Sequence, residues 1–248
     1  MDSEGKIELL KEWVGECKPG GLVFFGGAGV STESGIPDFR SADGVYNQKY
    51  PYPPEVMVSH SFFMNHTKEF FDFYFEKMIF EDAKPNKAHM KLAELEKEGI
   101  CSAVITQNID GLHQMAGSKN VLELHGSVHR NTCMDCGMHF SLAQTMGCLE
   151  ASKDGIPHCS ACGGIIKPDV VLYEEALDPK VMNAAVEAIS KAEILIIAGT
   201  SLVVYPAAGM IDYFRGKHLV IVNLSATKAD QTADLCITEK VGAVFSCL

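Results

Sequence analysis

Two pairs of cysteines have the spacing of a metal site. Cys133 and Cys136 form one Cys-x-x-Cys pair, and Cys159 and Cys162 form a second pair further along the chain. Four thiolates in two such pairs can close a tetrahedron around Zn²⁺, and they leave no open position for water. The spacing therefore predicts a structural zinc ion rather than a hydrolytic one. A redox pair or two disulfides are the alternatives. Three histidines in this region could compete for the metal: His129, His139 and His158.

A second group of residues could hold phosphate. Gly26, Gly27 and Gly29 directly follow an apolar run at 22–25 that reads as a buried strand. A doubly wound sheet holds a dinucleotide pyrophosphate at such a glycine-rich turn. The match to G-x-G-x-x-G is incomplete, because the next glycine is Gly35. On these residues alone a nucleotide site and an ordinary tight turn both stay open.

The continuation of this turn is more specific. Residues 27–40 read Gly-Ala-Gly-x-Ser-x-x-Ser-Gly-Ile-Pro-Asp-Phe-Arg without a break. In this stretch the chain resembles the sirtuins, which are NAD-dependent protein deacylases, and it is most similar to bacterial-type members with a single catalytic domain. Further sirtuin motifs follow in order: Thr-Gln-Asn-Ile-Asp at 106–110, His-Gly at 125–126 and Gly-Thr-Ser-Leu at 199–202. The resemblance covers about residues 20–245.

The resemblance implies a binding site for NAD as co-substrate. Arg40 is expected at the phosphates, Phe39 against the nicotinamide and Asp110 at its carboxamide. The implied cofactor-binding residues are Gly27, Ala28, Gly29, Thr32, Ile36, Asp38, Phe39, Arg40, Gln107, Asn108, Ile109, Asp110, His125, Gly199, Thr200, Ser201, Asn223, Leu224 and Lys240.

The resemblance also implies the reaction. An acetyl group passes from a protein lysine to ADP-ribose, and nicotinamide and O-acetyl-ADP-ribose are released. Asn108 and His125 are the implied catalytic residues, with His125 as general base. Histidine suits this role near neutral pH. The expected partner is therefore an acetylated-lysine protein or peptide.

One segment departs from the sirtuin pattern. Tyr173, Glu174 and Glu175 stand where the family usually has Phe-Gly-Glu. The family's glycine pairs with the substrate backbone, so Glu174 places a carboxylate near the entrance for the acyl-lysine. Sirtuins that prefer acidic acyl groups carry a tyrosine and an arginine in the small-domain helices. No arginine lies between Arg40 and Arg130 here, so the resemblance implies a neutral acyl group rather than an acidic one. The implied substrate-binding residues are Val171, Tyr173, Glu174, Leu202, Val203, Val204 and Tyr205.

Three other functions remain as alternatives. A mono-ADP-ribosyltransferase would use the same pocket but would not need the His125 base. A zinc-stabilised protein that senses NAD would bind NAD without releasing nicotinamide. A conventional dehydrogenase is disfavoured, because the third fingerprint glycine and the acidic residue after the second strand are missing.

The elements that must position these residues alternate along the chain. Strands are predicted at 22–25, 101–106, 121–124, 194–198, 219–222 and 235–237. Helices are predicted at 4–17, 85–98 and 178–191, from the 199–206 turn to about 215, and from about 240. One or two further helices are predicted within the aromatic-rich run at 61–80, packing mostly into a core. Strands separated by turns and helices indicate an α/β fold with a parallel sheet.

The resemblance implies how this fold is divided. A Rossmann-like NAD-binding domain is expected from residues 1–40, 86–126 and 171–248. A smaller domain is expected from a helical insert at 41–85 and a zinc module at 127–170. NAD and the acylated lysine are expected to meet in the cleft between the two domains.

Composition limits the partners. The chain has 248 residues, 47% of them hydrophobic, and a formal net charge of −11. This acidity argues against nucleic acid and anionic membranes, which both favour basic surfaces. The most apolar run, at 194–198, is too short to span a bilayer. The polar amino terminus does not read as a signal peptide, so a cytoplasmic location is expected.

Overall fold

The computed structural model describes residues 1–38, 44 and 50–248. Its α-helices are α1 (Ser3–Gly15), α2 (Pro54–Met57), α3 (His60–Asn65), α4 (Thr67–Lys77), α5 (Lys87–Lys97), α6 (Leu112–Ala116), α7 (Leu142–Glu150), α8 (Pro179–Lys191) and α9 (Val241–Phe245). Its strands are β1 (Leu22–Gly26), β2 (Cys101–Thr106), β3 (Val121–Glu123), β4 (Gly126–Cys133), β5 (His139–Ser141), β6 (Ile166–Val170), β7 (Ile194–Ala198), β8 (His218–Val222) and β9 (Leu235–Ile237). Short 3₁₀ helices lie at Ala28–Val30, Thr32–Ser34, Ala207–Tyr213 and Lys228–Gln231.

A six-stranded parallel sheet forms the larger part of the fold. Its order is β3-β2-β1-β7-β8-β9, and every neighbouring pair is parallel. From β1 the chain adds β2 and β3 on one side of the sheet, and it later adds β7, β8 and β9 on the other side of β1. The switch in strand order therefore lies between β1 and β7. Open α/β sheets bind ligands at this kind of crevice.

The central strands are buried on both faces. Leu22 and Phe24 of β1 pack into the core on one side, and Val23 and Phe25 pack into the core on the other. Strands covered by helices on both sides are near-continuous apolar runs rather than alternating ones. This explains why the predicted central strands, at 22–25 and 194–198, are short runs without polar residues. The predicted α/β class is confirmed.

Local sequence signals determine where two long helices, α1 and α8, begin. The Asp2 carboxylate accepts a hydrogen bond of 3.0 Å from the Gly5 N–H at the start of α1. Asp178 accepts one of 2.7 Å from the Lys180 N–H, and Pro179 occupies the first position of α8. Both are favoured choices at helix N-termini.

The segment after β7 differs from the prediction. A helix was expected up to about residue 215, but the structure has a 3₁₀ helix over Ala207–Tyr213. Gly209 lies inside this segment and disfavours an α-helix by about 1 kcal/mol relative to alanine. Over seven residues, the apolar spacing does not distinguish the two helix types.

A second, antiparallel sheet was not predicted. It has three strands in the order β5-β4-β6. Pro168 lies within β6, at the edge of this sheet, where a residue that lacks an N–H is tolerated.

The aromatic-rich run packs against this second sheet. Phe62, Phe63, Phe70 and Phe71 are buried in one cluster. That cluster also contains Val128 of β4 and Leu172 just after β6, so core packing is the main role of these rings. The division into two domains at the stated boundaries stays a prediction. Over the ranges that the structure describes, no helix combines the length and apolar character needed to cross a membrane.

Candidate active site

Parallel pairing brings the polar loops to one edge of the large sheet. Gly26, the last residue of β1, pairs with Thr106 at the end of β2 and with Ala198 at the end of β7. Ala198 in turn pairs with Val222 at the end of β8. The segments that follow these strands begin at residues 27, 107, 199 and 223, so they leave the sheet side by side. These segments contain most of the predicted NAD-binding residues.

The first and third of these loops approach each other very closely. The Gly29 N–H donates a hydrogen bond of 2.8 Å to the Gly199 carbonyl. A Cβ on Gly199 would lie 2.4 Å from the Val30 nitrogen, and Gly199 has a φ of +59°. Only glycine combines this backbone conformation with such a close approach. Together the two loops form a surface of closely packed main chain, which allows a phosphate group to approach without meeting side chains.

A hydrogen-bond network fixes Asp110. Its Oδ2 accepts a hydrogen bond of 2.7 Å from the Ser31 hydroxyl, and its Oδ1 accepts one of 2.9 Å from the Leu112 N–H. The Ser31 hydroxyl oxygen also accepts a hydrogen bond of 3.1 Å from Nδ2 of Asn108. Ser31 is 1% exposed. The network therefore holds the carboxylate of Asp110 and the amide of Asn108 in fixed orientations.

Ser31 was not among the predicted site residues. It is part of the motif at 27–40, but its spacing in the sequence does not reveal that its hydroxyl reaches residues 108 and 110. The one signal in the sequence that could have identified Ser31 is its fixed place in the glycine-rich motif.

His125 contacts the loop that follows β2. Its Nδ1 is 3.0 Å from the Gln107 carbonyl oxygen. A carbonyl can only accept, so Nδ1 carries a proton in the neutral ring and Nε2 has the free lone pair. Burial lowers the pKa of His125, and the hydrogen bond to Gln107 opposes this only in part. A neutral imidazole with an accepting Nε2 can act as a general base.

Two further contacts connect this part of the site. The Gln107 side chain donates a hydrogen bond of 3.0 Å from Nε2 to the hydroxyl of Thr200. The His125 carbonyl accepts a hydrogen bond of 3.0 Å from the Val171 N–H.

The backbone next to His125 also lies very close to the end of β6. Gly126 has a φ of +78°, and a Cβ there would lie 1.9 Å from the Asp169 carbonyl oxygen. The chain after β6 can therefore pass directly beside His125.

The remaining predicted NAD-binding residues have the following surroundings. Thr32 is exposed, and its hydroxyl donates to the Gly29 carbonyl over 3.0 Å. Asn223 donates a hydrogen bond of 2.8 Å to the Ser225 carbonyl. Leu224 is 62% exposed, and Lys240 is the N-terminal cap residue of α9. Partly buried positions are held by Ala28, Ile36, Asp38 and Ile109, whereas Ser201 is exposed. Phe39 and Arg40 lie outside the described residues, so their predicted roles stay predictions.

Glu33 connects the glycine loop to α9. Its carboxylate accepts a hydrogen bond of 2.6 Å from the Gly242 N–H, and a Cβ on Gly242 would lie 2.7 Å from Oε2 of Glu33. The sequence prediction missed this contact because the two residues are far apart along the chain.

The predicted substrate-binding residues lie on two segments. The first contains Val171, Tyr173 and Glu174, and Glu174 has a φ of +75°. The second runs from Leu202 to Tyr205. Leu202 is buried, its N–H donates to the Thr200 hydroxyl over 3.2 Å, and Val204 is partly buried. Val203 and Tyr205 are 49% and 70% exposed, so this segment presents apolar side chains at the surface.

The four predicted zinc ligands are brought together. The Sγ atoms of Cys133, Cys136, Cys159 and Cys162 all lie within 4.8 Å of one another. Cys133 and Cys162 are separated by 3.4 Å, and Cys136 and Cys159 by 3.7 Å. With Zn–S bonds of about 2.3 Å, tetrahedral geometry requires separations of about 3.8 Å. The cluster therefore fits a structural zinc ion. None of the three nearby histidines belongs to it.

The family follows from comparison with known proteins. A family model described as "Sir2 family" matches residues 27–206, which is well over half of the chain. The chain belongs to the Sir2 family. The Sir2 match begins at the glycine loop and extends past the Gly199 turn, so it includes the loops after β1, β2 and β7 but not those after β8 and β9.

Similar proteins cover nearly the whole Sir2 chain. The NAD-dependent protein deacetylase of Clostridium acetobutylicum is 60% identical over 242 residues, covering 97% of this chain and 96% of the relative. The NAD-dependent protein deacetylase of Clostridium perfringens is 58% identical and covers 98% of each. A solved structure titled "Sir2-p53 peptide-NAD+" is 39% identical, with a TM-score of 0.85, and covers 97% of this chain and 95% of that one.

Proposed function

We propose that this Sir2 chain is an NAD-dependent protein deacetylase that transfers the acetyl group of a protein lysine to ADP-ribose. The observation that carries the proposal is the convergence of His125, Asn108 and Asp110 at the carboxyl edge of the parallel sheet. Relatives named NAD-dependent protein deacetylases are up to 60% identical over nearly the full chain. NAD supplies the leaving nicotinamide and the ribose that accepts the acetyl group.

The geometry supports the proposed binding roles. The main chain at Gly27–Gly29 and Gly199 offers a close approach for phosphates, and Thr32 and Arg40 would assist. Asp110 has both carboxylate oxygens engaged by donors, so it presents a fixed negative group to the nicotinamide carboxamide. Asn108 is oriented through the Ser31 hydroxyl, and within the described residues its Oδ1 has no hydrogen-bond partner. That oxygen is available to the ribose and its water.

The proton transfer is assigned to His125. The Gln107 carbonyl keeps the proton on Nδ1, so Nε2 can accept a proton from the ribose hydroxyl. A positioned general base contributes about 10²–10⁴-fold to rate. The low pKa that burial gives to His125 keeps Nε2 available at neutral pH.

The zinc ion would act as a structural cross-link and take no part in the reaction. Cys133 would hold it from the end of β4 and Cys136 from the turn that follows, whereas Cys159 and Cys162 would hold it from the segment before β6. The protein substrate would bind between the 171–174 and 202–205 segments. A neutral acyl group is preferred, because no arginine lies between residues 40 and 130 to pair with an acidic one.

Nicotinamide release tests this function. The protein is incubated with NAD, with or without an acetyl-lysine peptide, and nicotinamide is measured by liquid chromatography. A deacetylase releases nicotinamide only when the acetylated peptide is present. Release with ADP-ribose left on protein would indicate a mono-ADP-ribosyltransferase, and no release with any acyl peptide would indicate a protein that only senses NAD.

A further inference from the structure

The loop that contains Glu174 has an unusual backbone conformation. The Glu175 N–H donates a hydrogen bond of 3.0 Å to the Leu172 carbonyl, which closes a β-turn with Glu174 at its third position. Glu174 has a φ of +75° there, a conformation that turns normally give to glycine or asparagine. A glutamate kept in this conformation must be held by its surroundings, and such sites cluster around ligands.

The side chain of Glu174 is anchored through one oxygen. Its Oε2 accepts hydrogen bonds from the N–H and the hydroxyl of Ser61, at 2.8 and 2.6 Å. Its Oε1 has no hydrogen bond to any residue that the structure describes. The bonds from Ser61 lower the pKa of Glu174, so the carboxylate is ionised at neutral pH. The result is a negative charge in a fixed orientation with one free oxygen.

Glu175 holds the same loop to α3 from the other side. Its Oε1 is 2.9 Å from Nδ1 of His60, and its Oε2 accepts hydrogen bonds from Lys167 and the Leu172 N–H at 3.2 and 2.9 Å. The charge of Glu175 is therefore already paired with a lysine. Of the two neighbouring glutamates, Glu174 is the one whose charge has no lysine or arginine partner within the described residues.

The carboxylate of Glu174 borders a surface cavity of about 620 Å³. The rings of Tyr52, Phe62 and Tyr173 line it, and Glu55 adds a second carboxylate. No lysine or arginine occurs among the described residues of the lining. Aromatic faces and carboxylates both attract ammonium and guanidinium groups. The chemistry of the cavity therefore fits a cationic side chain.

The cavity lies within reach of a peptide at the active site. Val171 is bonded to the His125 carbonyl, and Glu174 is three residues further along. Three residues of chain span at most about 10 Å. A residue one to three positions away from the reacting lysine can therefore reach the cavity.

We propose that Glu174 makes this enzyme select substrates that carry an arginine or lysine within three residues of the acetylated lysine. The side chain of that residue enters the cavity and pairs with the anchored carboxylate against the tyrosine rings. This proposal rests on the proposed function, since it names the protein substrates that the deacetylase prefers.

Matched peptides test the proposal. One acetyl-lysine peptide is made with arginine, alanine or glutamate placed in turn at each of the three positions on either side of the lysine. The value of kcat/KM is measured from nicotinamide release at pH 8, where imidazoles are neutral. At one or more positions we expect arginine to exceed alanine by about three- to tenfold, and glutamate to fall below alanine. The preference should shrink at high salt.

Glu174→Gln separates charge from anchoring, because the amide oxygen can still accept both hydrogen bonds from Ser61. We expect the ratio of arginine to alanine peptide to fall to nearly one in this variant. Glu81→Gln removes an exposed charge outside the cavity and should keep the full ratio. Equal kcat/KM for arginine and alanine peptides at all positions, or an unchanged ratio in Glu174→Gln, would overturn the proposal.

Binding is measured in parallel by fluorescence anisotropy of labelled peptides. The affinity ratio between arginine and alanine peptides does not depend on turnover. If no acetylated peptide reacts, the proposed function fails, whereas equal affinities would overturn the role of Glu174 alone.

Discussion

The Ser31 hydroxyl donates a hydrogen bond of 2.7 Å to Oδ2 of Asp110 and accepts one from the amide of Asn108. One buried hydroxyl thus orients two polar side chains that come from a different loop. Such a group affects a reaction only through the residues it holds, so Ser31 is a positioning residue.

Ser31→Ala should lower kcat/KM for NAD by about 10- to 100-fold. The reason is that a hydrogen bond to a charged group contributes about 1.5–3 kcal/mol, and 1.4 kcal/mol corresponds to a factor of ten. Steady-state kinetics with NAD varied at saturating peptide measures this. Ser102→Ala is the control, because Ser102 donates to the Leu22 carbonyl at the opposite end of the sheet. Equal values of kcat/KM for the two variants would show that Ser31 does not position Asn108 and Asp110 for the reaction.

His125→Ala should keep NAD binding and lose most turnover, by about 10²–10⁴-fold. His139→Ala, an exposed histidine of β5, should have little effect. In the unmodified protein, burial lowers the pKa of His125. The acidic limb of kcat/KM should therefore fall below the ordinary histidine value of about 6.5. A limb at or above pH 7, or full turnover in His125→Ala, would contradict the assignment.

Cys133→Ser should remove zinc and destabilise the small sheet. Structural zinc sites in small peptides have binding free energies of about 10–16 kcal/mol, so losing even part of this should lower Tm by about 10 °C or more. Zinc content by plasma mass spectrometry and thermal unfolding measure the two effects. Cys247→Ser should change neither, because Cys247 is exposed and outside the cluster. A zinc-free protein of unchanged Tm would refute the structural role.

The buried pair of His89 and His113 predicts a pH dependence of stability. Their ring centroids are 4.6 Å apart, and both side chains are buried. Burial lowers the pKa of His89 to about 4 and that of His113 to about 3. The unfolded chain, with histidine values of about 6.5, therefore binds more protons than the folded one below that pH. Stability is complete above about pH 6.5 and falls with decreasing pH, by up to about 1.4 kcal/mol per unit for each histidine.

Chemical denaturation at pH 7, 6 and 5 measures this slope. His113→Phe keeps a ring of similar shape and removes one titrating group, so its slope should be smaller than that of the unmodified protein. Among the described residues neither nitrogen of His113 has a hydrogen-bond partner, so the loss of stability at pH 7 should be small. Parallel pH curves for the two proteins would show that His113 does not contribute.

The sequence predicted the parts of the fold that depend on local pattern. The buried strands, the helices at 4–17 and 178–191 and the four-cysteine cluster follow from short-range signals. The antiparallel sheet was missed because β5 has only three residues and β6 contains a proline. The 3₁₀ helix was taken for an α-helix because a seven-residue segment does not separate the two periods.

The site was predictable as a set of residues but not as a network. The sequence motifs identified Asn108, Asp110 and His125 as candidate site residues. They could not show that Ser31 joins the first two, or that Gln107 fixes the tautomer of the third. Nor could they show that Glu174 is anchored by Ser61, because these contacts join segments that are distant in the chain. Long-range hydrogen bonds of this kind are set by tertiary packing and leave no periodic signal.

The fate of the acetyl group tests the central claim most directly. The protein is incubated with NAD and a lysine peptide whose acetyl group carries ¹³C, and all products are followed by mass spectrometry. The account predicts equal amounts of unmodified peptide, nicotinamide and ADP-ribose that carries the labelled acetyl group. Labelled free acetate as the first product, with NAD unchanged, would contradict it.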